Sequence, residues 1–125
     1  MGELLYSSTR GGETGCTASE AVLKGLAKDG GLFMPERIPR FDFALPELKD
    51  ASYQEVAYRV MRLLLTDYSE EELRACIEGA YDEKFDTPEI APLTFADDAY
   101  YLELFHGKTI AFKDMALSIL PYLMT

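Results

Sequence analysis

Histidine is almost missing from this 125-residue chain: His106 stands alone, which argues against a multi-histidine metal centre. Cysteine is scarce as well. Cys16 and Cys76 lie far apart and form no CxxC pattern, so they read as two free thiols of a reducing compartment, not as a disulfide or a metal site. Basic residues are outnumbered, with 12 Lys and Arg against 22 Asp and Glu and a formal charge of −10. That balance fits poorly with nucleic acid, because phosphate backbones need clustered Lys and Arg. It leaves room for a small anionic ligand, whose site needs only a few local donors. The apolar runs fall well short of a membrane span. No basic-then-apolar leader opens the chain, and no repeat or low-complexity tract is visible. A cytoplasmic location is therefore expected, with no nucleic acid, membrane or metal partner.

What is present is an ordinary globular composition, 48% hydrophobic and 27% charged, in a chain long enough for one domain with a real core. LLYSS opens as a short strand and runs into a glycine-containing loop. Thr17 and Glu20 have capping-box spacing, in which a hydroxyl and a carboxylate each satisfy a free backbone N–H. The spacing predicts a helix with Val22, Leu23 and Leu26 on its apolar side, stopped by Gly30-Gly31. LFMP reads as a short strand, and Pro39 and Pro46 mark a loop-rich crossing.

Ser52 with Glu55 and Ser69 with Glu72 repeat the capping-box pattern. Behind them, Tyr53, Val56, Ala57, Val60, Leu63 and Leu64, then Leu73, Cys76, Ile77 and Ala80, recur at helical spacing. Helices over roughly 53–66 and 70–80 follow, and the short Thr66-Asp67-Tyr68 link suits an antiparallel pair. After Pro88, APLTF and AYYLELF predict two strands turning at Asp97-Asp98. Leu102 and Leu104 then face one side, with Tyr101, Glu103 and Phe105 on the other. His106-Gly107 breaks the strand. A helix is expected from about Thr109 or Ala111 into Pro121.

Lys113 then falls in or near a first helical turn, beside the apolar Ile110-Ala111-Phe112 run. A helix dipole and apolar surroundings both disfavour the charged amine there, which suits a lysine acting as a neutral nucleophile toward an aldehyde. Spacing alone favours the other reading, an ordinary surface lysine whose stem covers apolar neighbours while its head reaches water.

The residues around it carry more than their spacing. LELFHG-x-T-x-AFKDMAL, Leu102 to Leu117, resembles the segment around the cofactor lysine of threonine synthases, pyridoxal-phosphate (PLP) enzymes of fold type II. YSSTRG at 6–11 and SEAVLKGLAKDGGLFMPERIP at 19–39 resemble the N-terminal domain of the same family. The two motifs come in the right order and span nearly the whole chain. One departure is Lys108, where family members commonly carry proline after the HG pair.

The resemblance implies an α/β chain: a threonine-synthase-like N-terminal domain over 1–90, mostly helical with short strands, then the incomplete start of a PLP-binding domain over 91–125. Helix should outweigh strand. It implies conversion of O-phospho-L-homoserine and water to L-threonine and phosphate, with Lys113 as the residue that binds the cofactor and moves protons. The cofactor acts as the electron sink. Candidate site neighbours are His106, Thr109, Phe112, Asp114 and Arg10. His106 and Thr109 are each either cofactor or substrate contacts or turn stabilisers. Phe112 reads as packing, Asp114 as a helix-start charge, and Arg10 as a phosphate contact or an internal ion pair.

Gly11-Gly12 and Gly30-Gly31 read as turns, so the glycine-rich phosphate cup such an enzyme needs is not found in this sequence. The chain alone is therefore expected to be inactive. The competing reading is a free-standing interaction module, self-associating through apolar faces at Leu102, Leu104, Ile110, Ile119 and Leu120. A third is a relative of the family acting on another phosphorylated amino alcohol.

Overall fold

A computed structural model describes residues 2–125. Strand β1 (Tyr6–Ser8) pairs antiparallel with β2 (Phe33–Pro35), with Tyr6 opposite Pro35 and Ser8 opposite Phe33. Between them runs helix α1 (Ala18–Lys24), capped as expected: Thr17 accepts from the Glu20 N–H, and the Glu20 carboxylate accepts from the Thr17 N–H. The helix ends earlier than Gly30-Gly31. Gly25 takes a φ of 70° and donates to Ala21, so the left-handed turn comes one residue after Lys24. Leu23 and Leu26 are consequently exposed, not part of a buried stripe.

Helices α2 (Tyr53–Leu64) and α3 (Glu70–Ala80) form the antiparallel pair that the sequence predicts. Ser69 and Glu72 complete a reciprocal capping box, but Ser52 does only half of this. Glu55 instead turns its carboxylate to Arg59 and Arg74, both about 3 Å away, and so bridges the two helices. α2 stops at Leu64, two residues short of the expected end, because Leu65 leaves helical geometry at ψ 63°. A short 3-10 turn at Leu45–Leu48 occupies the proline-marked crossing.

The β1–β2 layer is fixed to the link between α2 and α3. The Leu4 N–H donates to Thr66 Oγ1 at 2.9 Å, the Tyr6 hydroxyl to the Leu64 carbonyl at 2.8 Å, and the Ser19 N–H to Asp67 Oδ2 at 3.0 Å.

Strands β3 (Leu93–Ala96) and β4 (Ala99–Leu102) make a separate antiparallel hairpin. Asp97 and Asp98 turn it with φ of 48° and 59°, the left-handed pair that a two-residue hairpin turn requires. No parallel pairing occurs among the described residues. The expected C-terminal helix is broken into α4 (Asp114–Leu117) and α5 (Leu120–Leu123). Pro121 lies in the first turn of α5, where its missing N–H does no harm, so it begins a helix here instead of ending one.

The main core joins Ala57, Leu73, Ile77, Ala80, Tyr81, Phe85 and Ile90 to Ile119 from the α4–α5 junction. Ile119 is thus buried, against its expected place on an exposed apolar face, whereas Leu102 and Ile110 are exposed as that face requires. Cys16 and Cys76 are both free. No described helix is long and apolar enough to cross a membrane.

Candidate active site around Lys113

The segment after β4 is tied back to the chain between α3 and β3. The Glu103 N–H donates to the Pro92 carbonyl at 2.9 Å. The His106 imidazole lies between two carboxylates, Nε2 at 2.7 Å from Glu103 and Nδ1 at 2.5 Å from Asp86. These bonds, Glu103 first and Asp86 second, hold the imidazolium form and raise the His106 pKa above its ordinary value. The Asp86 N–H in turn donates to the His106 carbonyl at 3.0 Å, so the residue fastens β4 to the loop after α3.

The chain then turns tightly. Ile110 donates to the Gly107 carbonyl at 3.1 Å and takes a φ of 63°, an uncommon conformation for a β-branched residue. Asp114 folds back into the turn: Oδ2 accepts from the Thr109 N–H at 2.8 Å and Oδ1 from the Thr109 hydroxyl at 2.6 Å. The carboxylate is 6% exposed. Gly107 faces it so closely that a Cβ there would lie 2.5 Å from Asp114 Cβ, which explains glycine at this point.

Lys113 stands where this turn becomes α4. Its backbone is helical (φ −61°, ψ −23°), and its carbonyl accepts from the Ala116 and Leu117 N–H groups. Since α4 has four residues, little dipole accumulates behind the lysine, in contrast to the long helix expected from sequence. The side chain is exposed and has no hydrogen-bond or ion-pair partner among the described residues. It lines an open groove of about 660 Å³ with Phe112, Leu102, Leu104, Met115 and Tyr53. Leu102 and Leu104 therefore share one side, as the strand alternation predicts. An unpaired primary amine on an apolar wall suits condensation with a carbonyl compound.

Of the sequence-derived candidates, Lys113 and Phe112 meet in the groove, and Thr109 and Asp114 meet in the adjoining turn without lining it. His106 does not line it. Arg10 does not either: its guanidinium donates to the Asp29 carbonyl at 2.9 Å, in a loop organised by the Asp29 side chain. Ser8, Gly31, Gly12 and Arg10 together hold the Asp29 carboxyl below its usual range. Sequence reasoning missed Tyr53 and Met115 in the groove wall. Their helical spacing marked Tyr53 only as core, and no local signal marked Met115.

A helical pair joined to a strand-turn-helix segment that carries a free lysine defines an α/β chain with one candidate site. The family model for the threonine synthase N terminus matches residues 5–81, and the chain belongs to that family. It is 44% identical to threonine synthase of Schizosaccharomyces pombe over 122 residues, covering 94% of this chain and 24% of that one. It superposes on PLP-bound threonine synthase from Brucella melitensis with a TM-score of 0.85 and 34% identity, covering 97% of this chain and 26% of that one. Threonine synthase from Escherichia coli follows with a TM-score of 0.76 and 27% identity. The chain thus spans about a quarter of the length of the relatives it matches.

Proposed function

We propose that this chain is the N-terminal part of a PLP-dependent threonine synthase, which converts O-phospho-L-homoserine and water to L-threonine and phosphate, and that Lys113 is its cofactor lysine. The observation that carries this reading is the free Lys113 amine on an apolar groove, within a chain of the threonine synthase N-terminus family. Residues 1–90 then form the N-terminal domain and 91–125 the start of the cofactor-binding domain. A cytoplasmic location accords with such a biosynthetic role.

The residues present fit part of the cofactor. Lys113 offers an unpaired amine for its aldehyde, and Phe112, Leu102 and Leu104 offer an apolar flank for its ring. When bound, PLP supplies the electron sink for carbanion chemistry. Lys113 takes the Cα proton of the substrate on Nζ and returns it later. Leu102, Leu104 and Met115 give that amine an apolar wall on one side. Lys113 is the only cation and no glycine is among the groove residues, so in this reading the cofactor phosphate is held by residues outside this groove. The chain by itself is therefore inactive in this reading. Threonine formation from phosphohomoserine by the purified chain with PLP would overturn that point.

The role of Lys113 is tested by exchange. These 125 residues replace the matching segment of the Schizosaccharomyces pombe enzyme, and the hybrid is assayed for phosphate release. The expected result is turnover that Lys113→Arg abolishes and Lys108→Pro preserves. Turnover surviving in Lys113→Arg sinks the assignment.

The exposed hairpin supports a second reading, self-association. Leu93, Phe95, Tyr100, Tyr101 and Leu102 are each at least half exposed on it. Light scattering on the purified chain reads this directly, and a monomer at every concentration rules it out.

A further inference from the structure

We propose that Thr109 and Asp114 form a clamp that positions Lys113 and keeps its amine unpaired, an inference that rests on the cofactor role of Lys113. Asp114 is the immediate neighbour of the lysine and the nearest carboxylate along the chain. Left free, its side chain would be a ready ion-pair partner for that ammonium. Instead it is buried, and each of its oxygens accepts a bond from Thr109, Oδ1 from the hydroxyl and Oδ2 from the N–H. The Gly107 backbone closes over it at a distance no side chain could share. Asp114 is thus occupied within the turn, and Lys113 is left without a partner among the described residues.

The same two bonds set the direction of the lysine. They close the loop from Gly107 to Asp114, in which Ile110 takes its left-handed conformation, and fix the residue from which α4 departs. A reactive side chain must be held within about 0.5 Å of its working position, and supporting hydrogen bonds are what hold it. Thr109 and Asp114 are positioning residues in this sense. Neither of them lines the groove.

The test is selective labelling of the chain. It is incubated with pyridoxal 5'-phosphate, reduced with borohydride, digested, and mapped by mass spectrometry over all six lysines, with exposed Lys49 as the internal reference. In the parent chain Lys113 is expected to label ahead of Lys49. In Asp114→Asn and Thr109→Val the Lys113 signal should fall about tenfold or more, as expected when a reacting group is misplaced by a fraction of an ångström. Thr109→Ser, which keeps the hydroxyl, should restore it. Lys49 labelling should not change in any variant. Since Thr109 is exposed, Thr109→Val decides the matter if Asp114→Asn does not fold. Equal Lys113 labelling in parent and Thr109→Val overturns the clamp and leaves the cofactor role standing. Equal loss in Thr109→Ser and Thr109→Val overturns it too. Failure of Lys113 to label ahead of Lys49 in the parent overturns the clamp as a device that keeps this amine available, whereas the cofactor role stands or falls by the hybrid-enzyme assay.

Discussion

The Tyr81 hydroxyl donates to the Met115 carbonyl at 2.6 Å, so the residue that ends α3 holds the helix that directly follows Lys113. Tyr81 is almost wholly buried, and its ring packs edge-on against Tyr53 from α2. Burial pushes its phenol pKa well up, and the Tyr53 hydroxyl beside it adds to that, so the group keeps the proton it donates above the ordinary tyrosine range.

Tyr81→Phe keeps the packing and removes this single bond. The loss should be about 1–2 kcal/mol, the usual range for stranding a buried carbonyl. Urea unfolding followed by circular dichroism measures it. An unchanged midpoint would mean that Met115 finds another donor.

Ile77 and Leu73 are each 1% exposed at the centre of the helical pair. Either residue changed to Ala should cost about 2–5 kcal/mol. Since a domain of this size has about 5–15 kcal/mol in total, the thermal midpoint should fall steeply. Met61→Ala, at a half-buried position beside the same core, should cost less.

The two serine caps should differ when their carboxylates are removed. Glu72 serves the Ser69 backbone, whereas Glu55 serves Arg59 and Arg74. Ser69→Ala should cost about 1 kcal/mol, as should Ser52→Ala. Removing Glu55 should in addition make stability less sensitive to salt, because it deletes an interhelical ion pair. A salt series on Glu55→Gln and Glu72→Gln separates the two.

His106 makes stability depend on pH in a definite direction. Its folded pKa is raised above the ordinary 6.5 by Glu103 and Asp86. The stabilisation it provides is therefore fully present below 6.5 and disappears as pH rises through the higher folded value. The parent chain should lose stability relative to His106→Gln over that window. A difference between the two that stays flat with pH counts against the bridge.

Ile110 carries strain at φ 63° while 72% exposed, so it gains little from burial. Ile110→Gly should raise stability by about 1 kcal/mol, because glycine enters this region without a Cβ clash. Differential scanning calorimetry gives the shift. A lower midpoint would mean that the isoleucine side chain does more than its exposure implies.

Local rules made much of this fold legible. Thr17, Ser52 and Ser69 each begin a helix, and Asp97-Asp98 makes the hairpin turn, because caps and turns depend on residues within a few positions of each other. The end of α1 was misplaced because two glycine signals compete there, and Gly25 comes first along the chain. The break at Ser118 and Ile119 was invisible because a buried Ile119 rewards interrupting the helix, and only packing against α3 reveals that. For the candidate site, FKD marked Lys113 itself. The partners of His106 and Asp114 depend on how the chain folds back, and Tyr81 is separated from Met115 by more than thirty residues.

The order of synthesis gives the α4–α5 segment a further meaning. Ile119 completes the core of the helical pair, and the Tyr68 hydroxyl donates to the Leu123 carbonyl at 2.7 Å. On the ribosome, α2 and α3 emerge first and stay open on one flank until residues 119–123 have followed. At ordinary elongation rates that interval is roughly 2–9 s. During it, Leu73, Ile77 and Tyr81 are accessible to a chaperone. The segment that presents the lysine thus also closes this core, and the amine of a nascent chain gains its finished support only once Ile119 has followed it.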